Sequence, residues 1–236
     1  MGAMCGRYAN ARGAAELSAF FEAYDETGGQ LSAAYNIAPT DPVPLVRAEG
    51  ATRRLSMARW GLPRPWDRRS RQVMINARSE TVATSRAFSA AFARRRCLIP
   101  ADGWYEWVPL PDGVRRPYFM TPHDGAPLAF AGLWNPAGDG AACAVITTAA
   151  ADGLAEVHDR MPLVLPAPAW QRWLHSDDPV ADLLAGPGAD WAAGIEIRPV
   201  GRAVGDIHND GPALIARAAA SQVPSAAAGP AEMTLF

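Results

Sequence analysis

The sequence predicts one α+β domain with a mixed, barrel-like β-sheet and flanking helices. Short apolar segments that are typical of buried strands recur along the chain, among them 97–108, 128–134 and 142–148. Fewer segments carry the wider apolar spacing of an amphipathic helix. The 236 residues contain neither an internal repeat nor a linker between equal halves. We therefore expect strands and helices to share one core.

The first half of the chain predicts one helix and several strands. Residues 14–24 place apolar side chains on a single helical face, and Gly28 and Gly29 follow as a stop signal. The prolines of 35–46 favour a loop and an edge strand, because proline cannot donate a hydrogen bond to a neighbouring strand. Residues 55–62 predict a further strand. The apolar residues of the helical face are Leu17, Phe20, Phe21 and Tyr24.

The second half is richer in strands. Residues 85–96 predict a helix with Thr84 or Ser85 as its N-cap and with Phe88 and Phe92 one turn apart. Residues 97–108 predict two strands about a glycine-containing turn. Other strands are expected at 117–120, 128–134, 142–148 and 196–200, and one more begins at Leu163. Short helices are expected before His158, at 168–175 and at 180–184.

The net charge and the distribution of basic residues narrow the range of functions expected of this chain. The net charge of -2 argues against a protein that coats nucleic acid indiscriminately. The segment 47–116 nevertheless holds 15 Arg and 6 acidic residues, which indicates either a phosphate-binding surface or a solvated face. All 22 basic residues are Arg. Because the chain has no lysine, a Schiff base can form only at an N-terminal amine.

Cysteine and histidine spacing predict neither a disulfide framework nor a metal site. Cys5, Cys97 and Cys143 are odd in number and widely spaced, as expected of reduced core thiols. The four histidines show no metal-ligand spacing, and we expect no metal or other cofactor. No apolar run reaches the length of a membrane span, and the N-terminus lacks the pattern of a signal peptide. A cytoplasmic protein with no membrane partner is expected.

The N-terminal segment MCGRYA offers unusual chemistry. If Met4 and the residues before it are removed, Cys5 carries a thiol and a free α-amine two carbons apart. Their ordinary pKa values of about 8.5 and 8 leave both groups partly nucleophilic at neutral pH. Such a pair can capture an aldehyde, because the amine forms an imine and the thiolate then closes a thiazolidine ring. The alternative is a small residue that opens a buried strand.

Three other residues stand out. Trp66 lies in an arginine-rich loop, a pairing typical of a groove for single-stranded nucleic acid, unless the ring is tucked onto the core. Glu106 lies between Trp104 and Trp107, where loss of water would raise its pKa and suit it to move protons; the alternative is a structural partner of an arginine. His158 follows a short helix and is either catalytic or a partner of the helix dipole.

Nine segments in a fixed order resemble one family. The chain is similar throughout 5–215 to the SRAP family (SOS response-associated peptidase), which senses abasic sites in single-stranded DNA. The segments are MCGRYA at Met4, YNIAPT at Tyr35, RWGLP at Arg59, INARSET at Ile75, RCLIPADGWYEW at Arg96, AGLW at Ala131, ITTAA at Ile146, HDRMPLVL at His158 and VGRAVGDIHNDGPALI at Val200.

The resemblance implies a catalytic set and a DNA-binding set. Cys5 would be the nucleophile, Asn76 would orient the amine or the sugar, Glu106 would move protons, and His158 would assist ring opening or polarise the substrate. The product would be a thiazolidine cross-link to an abasic site in single-stranded DNA, with AP lyase activity as a further expectation and a monomer as the working form. The implied DNA contacts are Arg7, Arg78, Arg86 and Arg160 to phosphates, Trp66 to a base, and Gly6 and Thr148 near the damaged nucleotide.

The N-terminus departs from the family pattern, because Met1, Gly2 and Ala3 precede the Met-Cys opening. Self-cleavage would then have to expose Cys5, unless the three residues are not native. We expect an SRAP domain over 4–222 and a disordered tail over 223–236. Two alternatives remain. An N-terminal-nucleophile amidohydrolase of the glutamine amidotransferase type also begins Met-Cys-Gly, and a passive single-strand-binding module would make Cys5 and Glu106 incidental.

Overall fold

The computed structural model describes residues 5–66, 72–110, 113–175 and 180–218, which form 15 strands and four α-helices. The α-helices are α1 (Ala14–Phe21), α2 (Ser89–Arg94), α3 (Ala167–His175) and α4 (Ala189–Ala193). The strands are β1 (Tyr8–Asn10), β2 (Ala23–Asp25), β3 (Ala34–Ile37), β4 (Pro42–Glu49), β5 (Thr52–Trp60), β6 (Leu62–Pro63), β7 (Val73–Met74), β8 (Asn76–Arg78), β9 (Arg96–Ala101), β10 (Gly103–Pro109), β11 (Arg115–Pro122), β12 (Leu128–Ala137), β13 (Gly140–Ala149), β14 (Arg160–Pro162) and β15 (Ile195–Pro199).

Five strands close into a barrel. The order β13-β12-β9-β4-β5 is antiparallel, and parallel pairing of β5 with β13, with Cys143 opposite Trp60, closes it. β14 and β8 both pair with β13, outside the closed circuit. Aromatic and aliphatic side chains, including Tyr8, Trp60 and Phe130, form the main core. The predicted α+β class with a mixed, barrel-like sheet and flanking helices is confirmed.

A second sheet has the strand order β15-β11-β10-β1-β3 and shares the main core with the barrel. Asp102 alone separates β9 from β10, so the predicted pair of strands over 97–108 exists but is divided between the two sheets. Gly103 allows β10 to lie close to β11, because a Cβ at Gly103 would lie 2.6 Å from Cζ of Phe119. The register of Tyr8 opposite Trp104 then aligns the N-terminal segment with β10.

The helices cover the outside of the barrel. Leu17 and Phe21 of α1 pack in one buried cluster with Trp170 and Trp173 of α3. The predicted helix over 14–24 ends early, because Glu22 adopts a left-handed conformation, φ 50°, and the next three residues form β2. The predicted helix over 85–96 is likewise shorter, since turns precede α2 and β9 begins at Arg96. Of the described helices, none has the length and apolar character to cross a membrane.

The proline-rich segment matches expectation in part. Residues 35–46 contain the end of β3, an edge strand of the second sheet, and a turn at 38–41, but the last residues begin the barrel strand β4. Pro42 and Pro44 pair with β5 on one side, whereas the register of β4 with β9 is at Val46. The prolines are therefore tolerated where β4 pairs on one side. The expected leader and tail lie outside the described residues, as does the part of the arginine-rich loop beyond Trp66.

Candidate active site around Cys5

The N-terminal segment places Cys5 at the start of the five-stranded sheet. Gly6 and Arg7 separate it from β1. Its side chain is 4 % exposed and packs in the main core with Tyr8 and Trp104. The Cys5 backbone is left-handed, φ 39°, a region that costs a non-glycine residue about 1–2 kcal/mol. Burial before a strand, one of the two interpretations of this cysteine, is observed, so its chemistry depends on its neighbours.

Glu106 on β10 is the polar neighbour of Cys5. The backbone N–H of Cys5 donates a hydrogen bond to Oε1 of Glu106 at 2.9 Å. The Glu106 side chain is 3 % exposed. In the full chain this nitrogen belongs to the Met4–Cys5 peptide bond, and it becomes the α-amine once residues 1–4 are removed. The structure thus holds the nitrogen of Cys5 against a buried carboxyl group.

Burial and proximity shift the pKa values of both groups. Burial raises the pKa of the Cys5 thiol well above its ordinary value, and the charge and hydrogen bond of Glu106 raise it further. Burial also raises the pKa of Glu106, and this effect outweighs the lowering by the hydrogen bonds of Cys5. A carboxyl group with a raised pKa keeps its proton nearer to neutral pH. Glu106 can therefore give and take protons there.

His158 precedes β14 and has two competing partners at Nδ1. The backbone N–H of Arg160 donates to Nδ1 at 3.0 Å, which requires an unprotonated Nδ1 and places the proton of a neutral ring on Nε2. The carboxylate of Asp159 lies 2.9 Å from the same atom, a contact that requires a protonated Nδ1. We assign the neutral form to the Arg160 bond, because a backbone donor is fixed whereas the Asp159 side chain is 86 % exposed.

Asn76, Thr148 and His158 come from adjacent segments. Asn76 on β8 lies opposite Val145 of β13, and Thr148 on β13 lies opposite Met161 of β14. Met161 and Val145 belong to the core cluster that contains Cys5. The charges of Arg160 and Asp159, next to His158 in sequence, act on the pKa of Cys5. The barrel side of the site therefore consists of three neighbouring strands, and the other sheet supplies Cys5 and Glu106.

The predicted phosphate contacts fall into two groups. Arg78 and Arg86 are exposed, and Trp66, at 53 % exposure, is not tucked onto the core. Arg160 is held by Glu80 and Thr147. Arg7 is likewise held by hydrogen bonds to protein groups.

The structure also shows the state of the three cysteines and whether the described side chains offer a metal-binding group. Cys5, Cys97 and Cys143 are all free and buried, so the prediction of core thiols without a disulfide framework is confirmed. In the described ranges no three side chains of the types His, Cys, Asp or Glu come together as a group that could hold a metal ion.

The family model of the SOS response associated peptidases (SRAP) matches residues 4–207. The chain belongs to the SRAP family. Among curated SRAP relatives, the abasic site processing protein YedK of Escherichia coli is 38 % identical over 188 residues, which cover 77 % of this chain and 83 % of YedK. YoaM of Bacillus subtilis, also named an abasic site processing protein, is 32 % identical over 195 residues with the same coverage of both chains.

Solved structures share the SRAP chain's fold. A protein from Bacteroides thetaiotaomicron superposes with a TM-score of 0.76 at 18 % identity, over 91 % of this chain and all of that one. A phage-related protein from Bordetella bronchiseptica superposes with a TM-score of 0.67 at 29 % identity, over 83 % of this chain and 94 % of the other.

Two polar side chains of this SRAP chain, buried Asn36 and exposed Glu80, had no role in the sequence-based site. Asn36 accepts a hydrogen bond from Arg7 at 2.6 Å and donates to the carbonyl groups of Asp206 and Asn209. Arg7 also donates to the carbonyl of Val204 at 2.9 Å. Asn36 thus ties the N-terminal segment to the VGDIHND segment. Both segments were recognised as motifs, but 173 residues separate Asn36 from Asn209, and sequence alone gave no reason to pair them.

The other residue is Glu80, in the turn after β8. It binds the guanidinium of Arg160, 80 residues further along the chain. The only signal in the sequence was its presence in the INARSET segment.

Proposed function

We propose that this SRAP chain recognises abasic sites in single-stranded DNA and joins them covalently through Cys5. The observation that carries the proposal is the 2.9 Å contact between the Cys5 nitrogen and the buried Glu106 carboxyl. It places a proton-transferring group at the atom that must form an imine. The names of the relatives, abasic site processing proteins, support the same substrate.

The proposed reaction condenses the aldehyde of an open-chain abasic sugar with the Cys5 amine. The amine adds to C1′ to give a carbinolamine. Glu106 then donates its proton to the hydroxyl group, which leaves as water, and an iminium ion remains. The Glu106 carboxylate next takes the proton of the Cys5 thiol while sulfur bonds to C1′ and closes the thiazolidine. One water is released, and Glu106 returns to its protonated form.

The raised pKa of the Cys5 thiol fits this order of events. A thiol in a buried site beside a carboxyl group stays protonated until a base is present. The base appears when Glu106 gives up its proton. Thiolate formation is thereby delayed until an iminium ion exists to be attacked. In this mechanism His158 and Asn76 open the sugar ring and orient the reactants.

The leader must be removed before this chemistry can occur. While Met4 is attached, the Cys5 nitrogen is an amide and cannot form an imine. We propose that Cys5 and Glu106 cleave the Met4–Cys5 bond: the thiol attacks the Met4 carbonyl, the acyl group moves from nitrogen to sulfur, and water hydrolyses the thioester. The left-handed Cys5 backbone favours cleavage, because its strain is relieved when the bond is cut.

Exposed cationic and aromatic side chains would bind the strand. Arg78 and Arg86 would contact phosphates and Trp66 would stack on a base, which favours single strands without selecting a sequence. Arg7 and Arg160 would contact DNA through N–H groups that their protein partners leave free. Gly6 and Thr148 would lie beside the damaged nucleotide.

An abasic-site cross-linking assay tests the proposal. The processed protein is incubated with single-stranded DNA that carries one abasic site, and adducts are resolved under denaturing conditions. We expect a denaturant-resistant adduct from the wild type and none from Cys5→Ala. Cys143→Ala is the matched control, because it removes a different buried thiol and should still cross-link if it folds. Adduct formation by Cys5→Ala would refute the mechanism.

A further inference from the structure

The guanidinium of Arg160 is held on two sides. Its Nη1 and Nη2 atoms donate to the two carboxylate oxygens of Glu80, with Nη2 at 3.0 Å from Oε2. Nη2 also donates to the carbonyl oxygen of Thr147 at 2.6 Å and contacts its hydroxyl at 3.2 Å. This two-point Arg–carboxylate geometry fixes the plane of the guanidinium as well as its position. The Arg160 side chain is 11 % exposed.

These contacts join the three segments on the barrel side of the site. Glu80 follows β8, which carries Asn76. Thr147 precedes Thr148 on β13, and Arg160 opens β14 two residues after His158. The turn at Glu80 is itself anchored, because the backbone N–H of Ser79 donates to the carbonyl of Thr147 at 2.8 Å. A carboxylate outside the proposed reaction thus braces the strands that carry its residues.

We propose that Glu80 is a positioning residue for His158 and Cys5. By holding Arg160 it fixes the backbone N–H that donates to Nδ1 of His158, and it keeps the Arg160 charge beside Cys5. The inference rests on the proposed function, in which these two residues take part in the reaction. Its structural half concerns the imidazole alone and can be tested without DNA.

The contact between Glu80 and Arg160 matters because it determines which group bonds to Nδ1 of His158. With Arg160 N–H as donor, the neutral ring carries its proton on Nε2, which is then the nitrogen that donates. If β14 shifts, the exposed Asp159 carboxylate can capture Nδ1–H instead, and the proton distribution reverses. Arg160 is also the cation that lowers the pKa of Cys5 against the effects of burial and Glu106. Loss of Glu80 would therefore disturb the ring nitrogen and the thiol together.

Nitrogen NMR of the histidines tests the structural half. Long-range proton–nitrogen spectra of uniformly labelled protein distinguish the two ring nitrogens, and His158→Gln identifies the His158 signals among the four histidines. We expect the Nε2–H tautomer in the wild type and a mixture of tautomers in Glu80→Ala. Glu80→Gln, which retains an acceptor for Arg160, should stay closer to the wild type. His175 and His208 signals serve as internal controls.

Asp182→Ala is the matched control variant, because it breaks another two-point arginine pair, between Asp182 and Arg172, at the surface. It should leave the His158 signals unchanged. Should Glu80→Ala fail to fold, Arg160→Lys replaces it, since lysine cannot form the two-point contact. A wild-type tautomer distribution in whichever of these two variants is folded would overturn the inference.

Cross-linking rates test the part of the inference that concerns the reaction. Glu80→Ala should slow adduct formation about tenfold at saturating concentrations of abasic DNA, because the reacting groups are misplaced. Glu80→Gln should lose about threefold or less. If the wild type itself forms no adduct, the proposed function fails, whereas the tautomer result still decides the role of Glu80. An unchanged rate in Glu80→Ala with an altered tautomer would overturn the link to catalysis.

Discussion

At the scale of single residues, the pairing of Cys5 with Glu106 is the feature that converts a buried thiol into a candidate nucleophile. Burial alone raises the pKa of the thiol and makes it inert. The same burial raises the pKa of Glu106 and so provides a proton donor and acceptor within hydrogen-bond reach of the Cys5 nitrogen. Reactivity here depends on the pair.

Replacement of the carboxyl group should separate chemistry from binding. Glu106→Gln keeps an oxygen that accepts from the Cys5 nitrogen but cannot transfer a proton. We expect cross-linking to slow about a hundredfold, within the range for loss of a general acid–base group. Affinity for undamaged single-stranded DNA, measured by fluorescence titration, should not change. Cross-linking at the wild-type rate would remove Glu106 from the mechanism.

The raised pKa of Glu106 also predicts a pH-dependent stability cost. Its pKa is higher in the folded than in the unfolded chain, so its favourable contribution is complete below about pH 4.3 and is lost as pH rises through the folded pKa. Thermal unfolding is measured from about pH 4 to pH 8. The unfolding temperature of Glu106→Gln should rise relative to that of the wild type as the pH increases.

Glu22→Gln is the control for that experiment, because the Glu22 side chain is 83 % exposed. The difference in stability between Glu22→Gln and the wild type should change less with pH than that between Glu106→Gln and the wild type. A constant difference between Glu106→Gln and the wild type would contradict the raised pKa.

Sequence reasoning pointed to the residues that we propose to react, but not to those that hold them. Cys5 and Glu106 carry their chemistry in their own side chains and in their immediate neighbours, so a local pattern can reveal them. Asn36 and Glu80 act only through partners that are distant in sequence. Their roles became visible once the structure placed β3 against the 203–210 segment and the turn after β8 against Arg160 of β14.

At the scale of elements, the types of most strands and helices followed from local patterns, and their ends did not. The helix over 14–24 stops at Glu22 because packing against β5 draws the next residues into β2. Pro44 was expected to exclude a barrel strand, yet β4 accommodates it where pairing is one-sided. Such outcomes depend on which strand becomes a neighbour, information that no local window contains.

Gly103 shows how an element positions the site. It begins β10, three residues before Glu106, and a Cβ would collide with the backbone oxygen of Met120 and lie 2.6 Å from Cζ of Phe119. Gly103→Ala should destabilise the fold by about 1–3 kcal/mol, as overpacking does, and slow cross-linking by displacing Glu106. Chemical denaturation provides the free energy of unfolding.

Gly140→Ala is the matched control, since Gly140 begins β13 and a Cβ there meets no atom within 4 Å. Its unfolding free energy should change by less than about 0.5 kcal/mol. Equal changes of the unfolding free energy in the two variants would show that the position of β10 does not depend on the close approach at Gly103.

At the scale of the whole molecule, the site lies where the barrel and the five-stranded sheet meet. The class of fold was predictable because strand-like segments dominate the chain. The closure of the barrel by parallel pairing of β5 with β13 was not, because it joins segments far apart in sequence. This arrangement brings Cys5 into one core cluster with Met161 of β14 and leaves Trp66, Arg78 and Arg86 exposed.

Salt dependence of binding should reveal which exposed residues meet DNA. Arg78→Gln and Arg86→Gln should each reduce the slope of log affinity against log salt concentration by about 0.7, the value for one phosphate of a single strand. Trp66→Ala should cost about 1–3 kcal/mol of binding free energy and leave the slope unchanged. Arg172→Gln is the control, because Arg172 is a surface arginine paired with Asp182 and is not among the proposed phosphate contacts. An unaltered slope in both arginine variants would exclude the proposed phosphate contacts.

The most direct test of the central claim, that Cys5 reacts through a free amine and its thiol, is the intact mass of the protein before and after incubation with a single-stranded abasic oligonucleotide. We predict that the active species begins at Cys5 and that the adduct weighs one water less than the sum of protein and DNA. Adducts on protein that retains Met4, or an adduct mass with no loss of water, would contradict the thiazolidine mechanism.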